Sequence, residues 1–327
     1  MKFNKIKKAV SLLGVGLLMT GVIAGCGSGG SGGSGVKIMY VTNTLDDYRT
    51  LLQEAVISTA STEGVTLDVQ EGTSSVDDQV NQIKSAVSGG YDAIICLMAD
   101  SSTALQLEAV AGDLPIVFVN SMPSEDQLEA DQYMYVGSQE RDAGTFQAEY
   151  VWDKLGKPSS LNALIFMGEA GHSGTIGRTS AVKDYFKDNG VNANFVFCDY
   201  ATWSDEIAAE KFEIFLKTKQ DFDAVFCNND TMATGIVKAM QKHGFDTQEI
   251  PVVGVDATAA GCQSIIDGGM QFTAYQSAAG QGEMGIKTAV ALATKGSAKG
   301  LEGLTDDGTI VWVPFEPVTA SNVKDYQ

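Results

Sequence analysis

Polar side chains follow two consecutive apolar runs in the second half of the chain, and their types suit hydrogen bonding to a small polar molecule. An Asn-Asn-Asp triplet at 228–230 comes directly after the apolar run 224–227. Asp256 comes directly after the apolar run 251–255. Carboxylates and carboxamides accept and donate hydrogen bonds in fixed directions, as recognition of hydroxyl groups requires. This pairing predicts a polar binding site.

The runs that carry these residues are predicted to be strands buried on both faces, because they are too short for helices and are biased toward β-branched and aromatic residues. Between them, apolar residues recur at helical spacing from Met232 to Met240, and Gly244 ends the pattern. Asp230 is expected to cap this helix. The carboxyl ends of parallel strands in an α/β sheet are where ligands bind, so Asp256 is a candidate site residue.

The same alternation runs through most of the chain and predicts an α/β fold. Strands are predicted at 37–41, 65–69, 92–97, 115–119, 133–137, 162–167, 194–197, 223–227, 251–255 and 271–275, with helices between them, including 49–60, 76–88, 101–111 and 140–155. Alternating strands and helices build parallel sheets covered by helices. The two series predict two Rossmann-like lobes with a cleft between them.

Other predicted strands also end in polar or aromatic residues. These ends are the segment 42–48, Asn120, the segment 168–172 and Gln276. Trp203 lies in a polar loop before a helix capped by Ser204 or Asp205, and we interpret it as a stacking residue. Tyr48 fits stacking and ordinary packing equally well. Polar edges with an aromatic face suit a sugar, which has hydroxyl groups and an apolar C–H side.

The amino terminus predicts export and anchoring. Four lysines precede an apolar stretch at 9–24, as in a secretory signal peptide, here 1–25. The segment 23–26, Ile-Ala-Gly-Cys, resembles the bacterial lipoprotein cleavage motif, which implies that Cys26 carries lipid. The glycine- and serine-rich segment 26–35 then forms a flexible tether.

Composition excludes several classes of protein. The formal charge of the 327-residue chain is −19 and becomes −23 without the four signal-peptide lysines, so no nucleic-acid partner is expected.

The cysteines show no metal-ligand spacing; Cys96, Cys198, Cys227 and Cys262 are expected to be buried thiols, with a disulfide left open. A nucleophile elbow at 171–175 fails because its last position is Thr175 rather than glycine.

Several segments together resemble the glucose/galactose-binding proteins, which are periplasmic-type substrate-binding components of sugar ABC transporters. The resemblance runs from about residue 37 to the end of the chain, and it is carried by 114–120, 133–144, 168–178, Trp203, 228–230 and 253–256. It implies a type I fold, with lobes at 36–139 plus 276–313 and 140–275 plus 314–327. Three crossover hinge strands, near 139–140, 275–276 and 313–314, would join the lobes, which close on one hexose, and a final helix would end the chain.

The resemblance also implies the ligand-binding residues. The hydrogen-bonding positions are Asp46 or Asp47, Asn120, His172, Arg178, Asn229, Asp256 and Gln276; the stacking positions are Tyr48 and Trp203. Gly174 stands where the family has an acid, so Ser173 or Thr175 is a candidate replacement. Gln276 replaces the usual Asn. The family's calcium loop is here the short segment 156–160, which has too few oxygen donors for Ca²⁺, so no metal is expected.

These observations predict an extracytoplasmic lipoprotein that binds a free monosaccharide, D-glucose or D-galactose, and passes it to the membrane permease of an ABC importer. A chemoreceptor is a further candidate partner, and we expect a monomer without cofactor or enzymatic activity. A pentose or a nucleoside-like ligand is the alternative within the same fold. A secreted glycosidase using Asp47 and Asp256 is a third hypothesis. A sugar-responsive repressor would need a DNA-binding segment where the signal and tether lie.

Overall fold

The computed structural model describes residues 35–327, and its elements alternate as an α/β fold requires. The strands are β1 (Lys37–Val41), β2 (Thr66–Val69), β3 (Ala93–Cys96), β4 (Ile116–Val119), β5 (Tyr133–Gly137), β6 (Ser160–Met167), β7 (Asn192–Tyr200), β8 (Ala224–Cys227), β9 (Val252–Asp256), β10 (Phe272–Tyr275), β11 (Ile310–Trp312) and β12 (Glu316–Thr319). The helices are α1 (Asp47–Glu63), α2 (Val76–Ser88), α3 (Ala104–Ala111), α4 (Glu140–Lys154), α5 (Ser173–Asp188), α6 (Asp205–Leu216), α7 (Asp230–Lys242), α8 (Ala259–Ile266) and α9 (Ala278–Lys295). The predicted signal peptide, Cys26 and the tether before Gly35 lie outside the described residues.

The strands form two six-stranded sheets. The order in the first is β11-β5-β4-β3-β1-β2, and all its neighbours are parallel. The order in the second is β12-β10-β9-β8-β6-β7, and only β12 runs antiparallel to its neighbour. Each sheet with its helices is called a lobe below. The predicted fold class of two α/β lobes is confirmed.

Apolar residues pack on both faces of each sheet, because neighbouring residues of a strand point to opposite faces. In the first sheet, Tyr40, Ile95 and Val117 belong to one apolar cluster. Their neighbours Met39 and Ile94 belong to the cluster on the other face. The second sheet has the same two-sided core. Burial on both faces explains why the strands are continuous apolar runs.

The chain passes between the lobes three times. It leaves the first lobe between β5 and α4, since α4 packs on β9 and β10. It returns between β10 and α9, since α9 packs on β3, β4 and α1. It crosses again between β11 and β12, which belong to different sheets. These three segments are called the crossings below.

Some predicted elements differ from the observed ones. The predicted helix 101–111 begins as a 3₁₀ turn at Ser101–Thr103 before α3. The final helix implied by the resemblance is wrong, because β12 pairs with β10 and only a 3₁₀ turn, Val323–Tyr326, follows. Pro317 is compatible with β12 because this strand is at the edge of its sheet. Within residues 35–327, no helix has the length and apolar character needed to cross a membrane.

Candidate functional site

The polar residues at the strand ends of both sheets surround one cavity. The cavity has about 300 Å³ of space that is not occupied by atoms, part of it open to solvent. Its lining residues are Asp46, Tyr48, Arg49, Asn120, His172, Arg178, Trp203, Asn229, Asp256 and Gln276. The first four belong to the first lobe, Gln276 lies at the second crossing, and the others belong to the second lobe. Neither lobe supplies the complete set.

One predicted residue, Asp47, does not line the cavity, whereas Arg49, which was not predicted, does. Asp47 is exposed, and its carboxylate accepts a hydrogen bond from the Thr231 hydroxyl (3.0 Å). Asp46 caps α1 by accepting from the backbone N–H of Arg49 (2.8 Å). The Arg49 side chain folds back, with Nε 3.4 Å from Asp46 Oδ2 and Nη1 donating to the Thr44 carbonyl (3.2 Å). The i, i+3 spacing of Asp46 and Arg49 is the sequence signal that would have found the arginine.

A buried arginine, Arg178 of α5, lies at the centre of the site. Its Nε donates to Glu140 Oε2 (2.6 Å), its Nη1 to the Asn228 carbonyl (2.6 Å) and its Nη2 to Gln276 Oε1 (3.2 Å). Burial lowers the pKa of Arg178, but Glu140 and Asp256 raise it and prevail, so the guanidinium is charged. Glu140 follows the first crossing and Gln276 lies at the second. Arg178 therefore connects the cavity to the segments that join the lobes.

Asp256 ends β9 in an unusual backbone conformation. Its φ is 112°, and that of Ala257 is 53°, in the region that non-glycine residues rarely adopt. Asp256 Oδ1 lies 3.8 Å from Arg178 Nη1, beyond hydrogen-bond distance, so the carboxylate can accept hydrogen bonds from a ligand. Burial raises the pKa of Asp256 well above its usual value, and Arg178 opposes the shift. Ligand hydroxyls donating to the carboxylate would favour its ionised form.

His172 offers the cavity a neutral ring. Its Nδ1 accepts a hydrogen bond from the Gly174 backbone N–H (3.0 Å), which leaves the proton of the neutral ring on Nε2. Burial and the positive charges of Arg49 and Arg178 lower its pKa to about 3. His172 is therefore an uncharged N–H donor at neutral pH.

The aromatic residues of the cavity carry buried polar atoms. Trp203 packs so closely on Gly168 that a Cβ at Gly168 would come within 2.1 Å of the indole ring. His172 contacts the same indole edge-on, with 5.1 Å between ring centroids. Within the described residues, the indole Nε1 and the Tyr48 hydroxyl are buried without a hydrogen-bond partner. Both groups are available to donate to a ligand.

Gly174, where the resemblance implies a missing acid, faces Arg178. A Cβ at this position would lie 3.5 Å from Arg178 Cζ. The same Cβ would lie 3.2 Å from His172 Nδ1, so an acid there would lie beside both the imidazole and Arg178, whose charge is here balanced by the two carboxylates described above. The suggested substitutes do not line the cavity: the Ser173 hydroxyl accepts from the Met122 backbone N–H (2.9 Å), and Thr175 is buried.

Asp230 does not cap α7, so that prediction is wrong. The cap is Asn229, whose Oδ1 accepts from the Met232 backbone N–H (3.0 Å). The Asp230 carboxylate is buried and accepts from the Thr258 backbone N–H (2.8 Å) and the Thr273 hydroxyl (2.7 Å). Burial raises its pKa from 3.8 to about 7, and these hydrogen bonds oppose the shift.

Replacing Asp230 by Asn is expected to flatten the pH dependence of stability between about pH 4 and pH 7. In this window the folded protein binds more protons at Asp230 than the unfolded chain, because the folded pKa is the higher one. The free energy of unfolding therefore falls as pH rises through the window. Thermal unfolding across this range should show a smaller fall in Tm for the variant; equal slopes for both proteins would contradict the assignment.

Other candidate chemistries find no support in the described residues. Between residues 35 and 327, no group of three or more His, Cys, Asp or Glu side chains is placed to hold a metal ion. In the same range Cys96, Cys198, Cys227 and Cys262 are free thiols, and all but Cys198 are buried.

Comparison with known proteins defines the class. Residues 38–297 match the periplasmic binding protein domain, and the chain belongs to this family. The family implies a location outside the cytoplasm, and the two lobes have the periplasmic binding protein type I fold. The similar proteins reported next are solute-binding proteins.

Three similar proteins match this chain over most of their length. A putative rhizopine-binding protein of Rhizobium meliloti is 29% identical over 286 residues, which cover 86% of this chain and 89% of the relative. A D-galactose/methyl-galactoside binding periplasmic protein of Haemophilus influenzae is 24% identical over 296 residues, covering 86% and 88%. The structure of an ABC transporter solute binding protein from Bacillus halodurans C-125 with bound myo-inositol has a TM-score of 0.79 and 28% identity, covering 91% of this chain and 98% of that one.

Proposed function

We propose that this protein captures a free, uncharged, polyhydroxylated ring between its lobes and delivers it to the membrane permease of an ABC importer. The observation that carries the proposal is the cavity enclosed by both lobes, in which Asp46 and Asp256 face amide, imidazole and aromatic side chains. Each carboxylate has two oxygens that can accept from adjacent hydroxyls, and such charge-assisted hydrogen bonds are strong.

The charges of the site favour an uncharged ligand. Arg49 and Arg178 each have two carboxylates within 4 Å, and the lining histidine is neutral. A phosphate or carboxylate ligand would thus find no unpaired cation among these groups. It would also be repelled, because the four carboxylates outnumber the two guanidinium groups. This balance disfavours sugar phosphates and uronic acids.

D-glucose and D-galactose are the first candidate ligands, because the site residues fall at the positions of the glucose/galactose-binding resemblance. Two relatives support rings of this size, since one is named for D-galactose and one contains myo-inositol. A pentose is an equally valid candidate, because Gly174 stands at a position where the resemblance implies an acid that binds a hexose hydroxyl.

Binding between two lobes implies closure. We propose that the lobes rotate about the crossings, because the lining residues come from both lobes and meet only when the lobes are together. The proposed moving units are 36–139 plus 276–313 and 140–275 plus 314–327. We also propose that lipid on Cys26 and the tether hold a monomer at the outer face of the cell membrane, where a chemoreceptor is a second candidate partner.

Titration calorimetry with D-galactose, D-glucose, D-ribose and myo-inositol is expected to give saturable one-to-one binding for at least one ring. The ring that binds should also lower the radius of gyration in solution scattering, because closure makes the protein more compact. EDTA should change neither result. D-galacturonate is the matched control for charge, and we expect it to bind much more weakly than D-galactose.

Two outcomes would contradict the proposal. Absence of binding for all four rings would remove the proposed ligand class. If the radius of gyration were unchanged at saturation, the proposal of ring binding would stand but the proposal of lobe closure would be wrong.

A further inference from the structure

One loop of the second lobe makes most of the hydrogen bonds and ion pairs that span the cleft away from the crossings. In the described part of the chain, four hydrogen bonds or ion pairs connect the lobes in this way: Arg49 Nη2 to Glu169 Oε2 (3.0 Å), Ser101 Oγ to the Gly171 carbonyl (2.8 Å), the Met122 N–H to Ser173 Oγ (2.9 Å), and Thr231 Oγ1 to Asp47 Oδ2 (3.0 Å). The first three involve residues 169–173, between β6 and the start of α5, which is called the 169–173 loop. The same loop presents His172 to the cavity.

Among these four contacts, the Arg49–Glu169 ion pair includes a side chain that lines the cavity. Arg49 lines it, whereas Glu169 does not, so the contact with Arg49 is the direct link between Glu169 and a ligand in the cavity. The Arg49 side chain is 6% exposed and that of Glu169 is 40% exposed. The arginine end of the pair is therefore largely removed from water, unlike that of an ordinary surface ion pair.

The hydrogen-bond and ion-pair partners of Arg49 come from both lobes. Asp46 and the Thr44 carbonyl belong to the first lobe, so their contacts with Arg49 do not depend on closure. Glu169 belongs to the second lobe and can reach Arg49 only when the lobes are together. A contact that exists only in the closed form stabilises that form relative to the open one.

We infer that Glu169 is a positioning residue that holds Arg49 against the bound ring and couples ring binding to closure. This inference rests on the proposed function. The coupling is reciprocal: a bound ring favours the closure that forms the ion pair, and the ion pair retains the ring. The pair acts after the ring has entered, so it governs the dissociation rate more than the association rate.

The test is Glu169→Gln, measured with whichever of D-galactose, D-glucose, D-ribose and myo-inositol the wild-type protein binds most tightly. Kd is expected to rise about 3- to 10-fold, as for loss of a partly buried charged pair. The rise should come from faster dissociation. Added salt should accelerate dissociation from the wild type more than from the variant, since the ion pair is screened. Without the ring, Tm should equal that of the wild type, a result that separates positioning from a role in folding.

The chain contains a matched control. Arg141 Nη2 and Asp184 Oδ2 form an ion pair of similar length (2.8 Å), but between α4 and α5 within one lobe. Asp184→Asn removes one carboxylate charge, as Glu169→Gln does, and should leave both Kd and the dissociation rate unchanged. Glu169→Asp keeps the charge but shortens the side chain, so it should bind more weakly than the wild type.

Three results would overturn the inference. Wild-type binding and dissociation by Glu169→Gln would show that the pair contributes nothing while leaving the proposed function intact. An equal loss in Asp184→Asn would assign the effect to net charge. If the wild-type protein bound none of the four rings, the proposed function would fail and this inference with it.

Discussion

Asp256→Asn is expected to weaken ring binding by about 30- to 1000-fold, which corresponds to roughly 2–4 kcal/mol. The carboxylate ends the buried strand β9 and lines the cavity, so it loses little conformational freedom on binding. Its Oδ1 is not hydrogen-bonded to Arg178, which leaves it free to accept from the ring. Asparagine keeps the shape but replaces one carboxylate oxygen, whose ionised form the ring hydroxyls would favour, by an N–H₂ donor.

Asp47→Asn is the control for this prediction. Asp47 is exposed and outside the cavity, although sequence alone left it equal to Asp46 as a candidate. Its contact with Thr231 spans the cleft, so we expect a loss of no more than about 3-fold. Calorimetry on both variants decides the matter: Asp256→Asn binding within a factor of about two of the wild type would remove Asp256 from the site.

Arg178→Met is expected to lower the free energy of unfolding by about 3–5 kcal/mol, because it leaves Glu140 and Asp256 as buried carboxylates without their partner. This is a large share of the 5–15 kcal/mol typical of whole domains. Binding should be abolished as well, since Arg178 lines the cavity and contacts Gln276 at the second crossing. Urea denaturation measures the first effect and calorimetry the second.

Two further variants test the cause of that loss. Arg178→Met combined with Glu140→Gln should recover part of the stability, because one of the two unpaired carboxylates is then neutral. Arg141→Met removes an arginine whose ion pair with Asp184 is exposed, and should cost no more than about 1 kcal/mol. If Arg178→Met were no more destabilising than Arg141→Met, burial of the Arg178 network would not matter to folding.

Most of the candidate site was accessible to sequence reasoning because it follows strand ends. Asp256, Asn120 and Gln276 come directly after buried apolar runs, and the carboxyl ends of parallel strands meet at one edge of a sheet. Their roles as ligand contacts stay predictions. Arg49 was missed because it lies inside the first turn of α1, where only its i, i+3 spacing from Asp46, and no strand pattern, points to it.

Hydrogen bonding near the site was harder to predict than position. Asp230 and Asn229 are adjacent, and both are good helix caps. Asn229 caps the helix in the structure, because the buried Asp230 carboxylate accepts hydrogen bonds from Thr258 and Thr273, which are distant in sequence. A local preference cannot decide between two suitable residues when a tertiary partner exists for one of them.

Sequence alone determined the two-lobed α/β architecture, because short runs buried on both faces and alternating with helices have few other ways to bury their apolar surface. It also determined most of the residues that meet at the cavity, through their places at strand ends. Only the tertiary structure decided that Asp46 rather than Asp47 faces the cavity, and that Arg178 and Glu140 form a buried ion pair beside the crossings. These outcomes depend on the direction in which each side chain leaves its helix and on distances between elements far apart in the chain, and neither is encoded in local spacing.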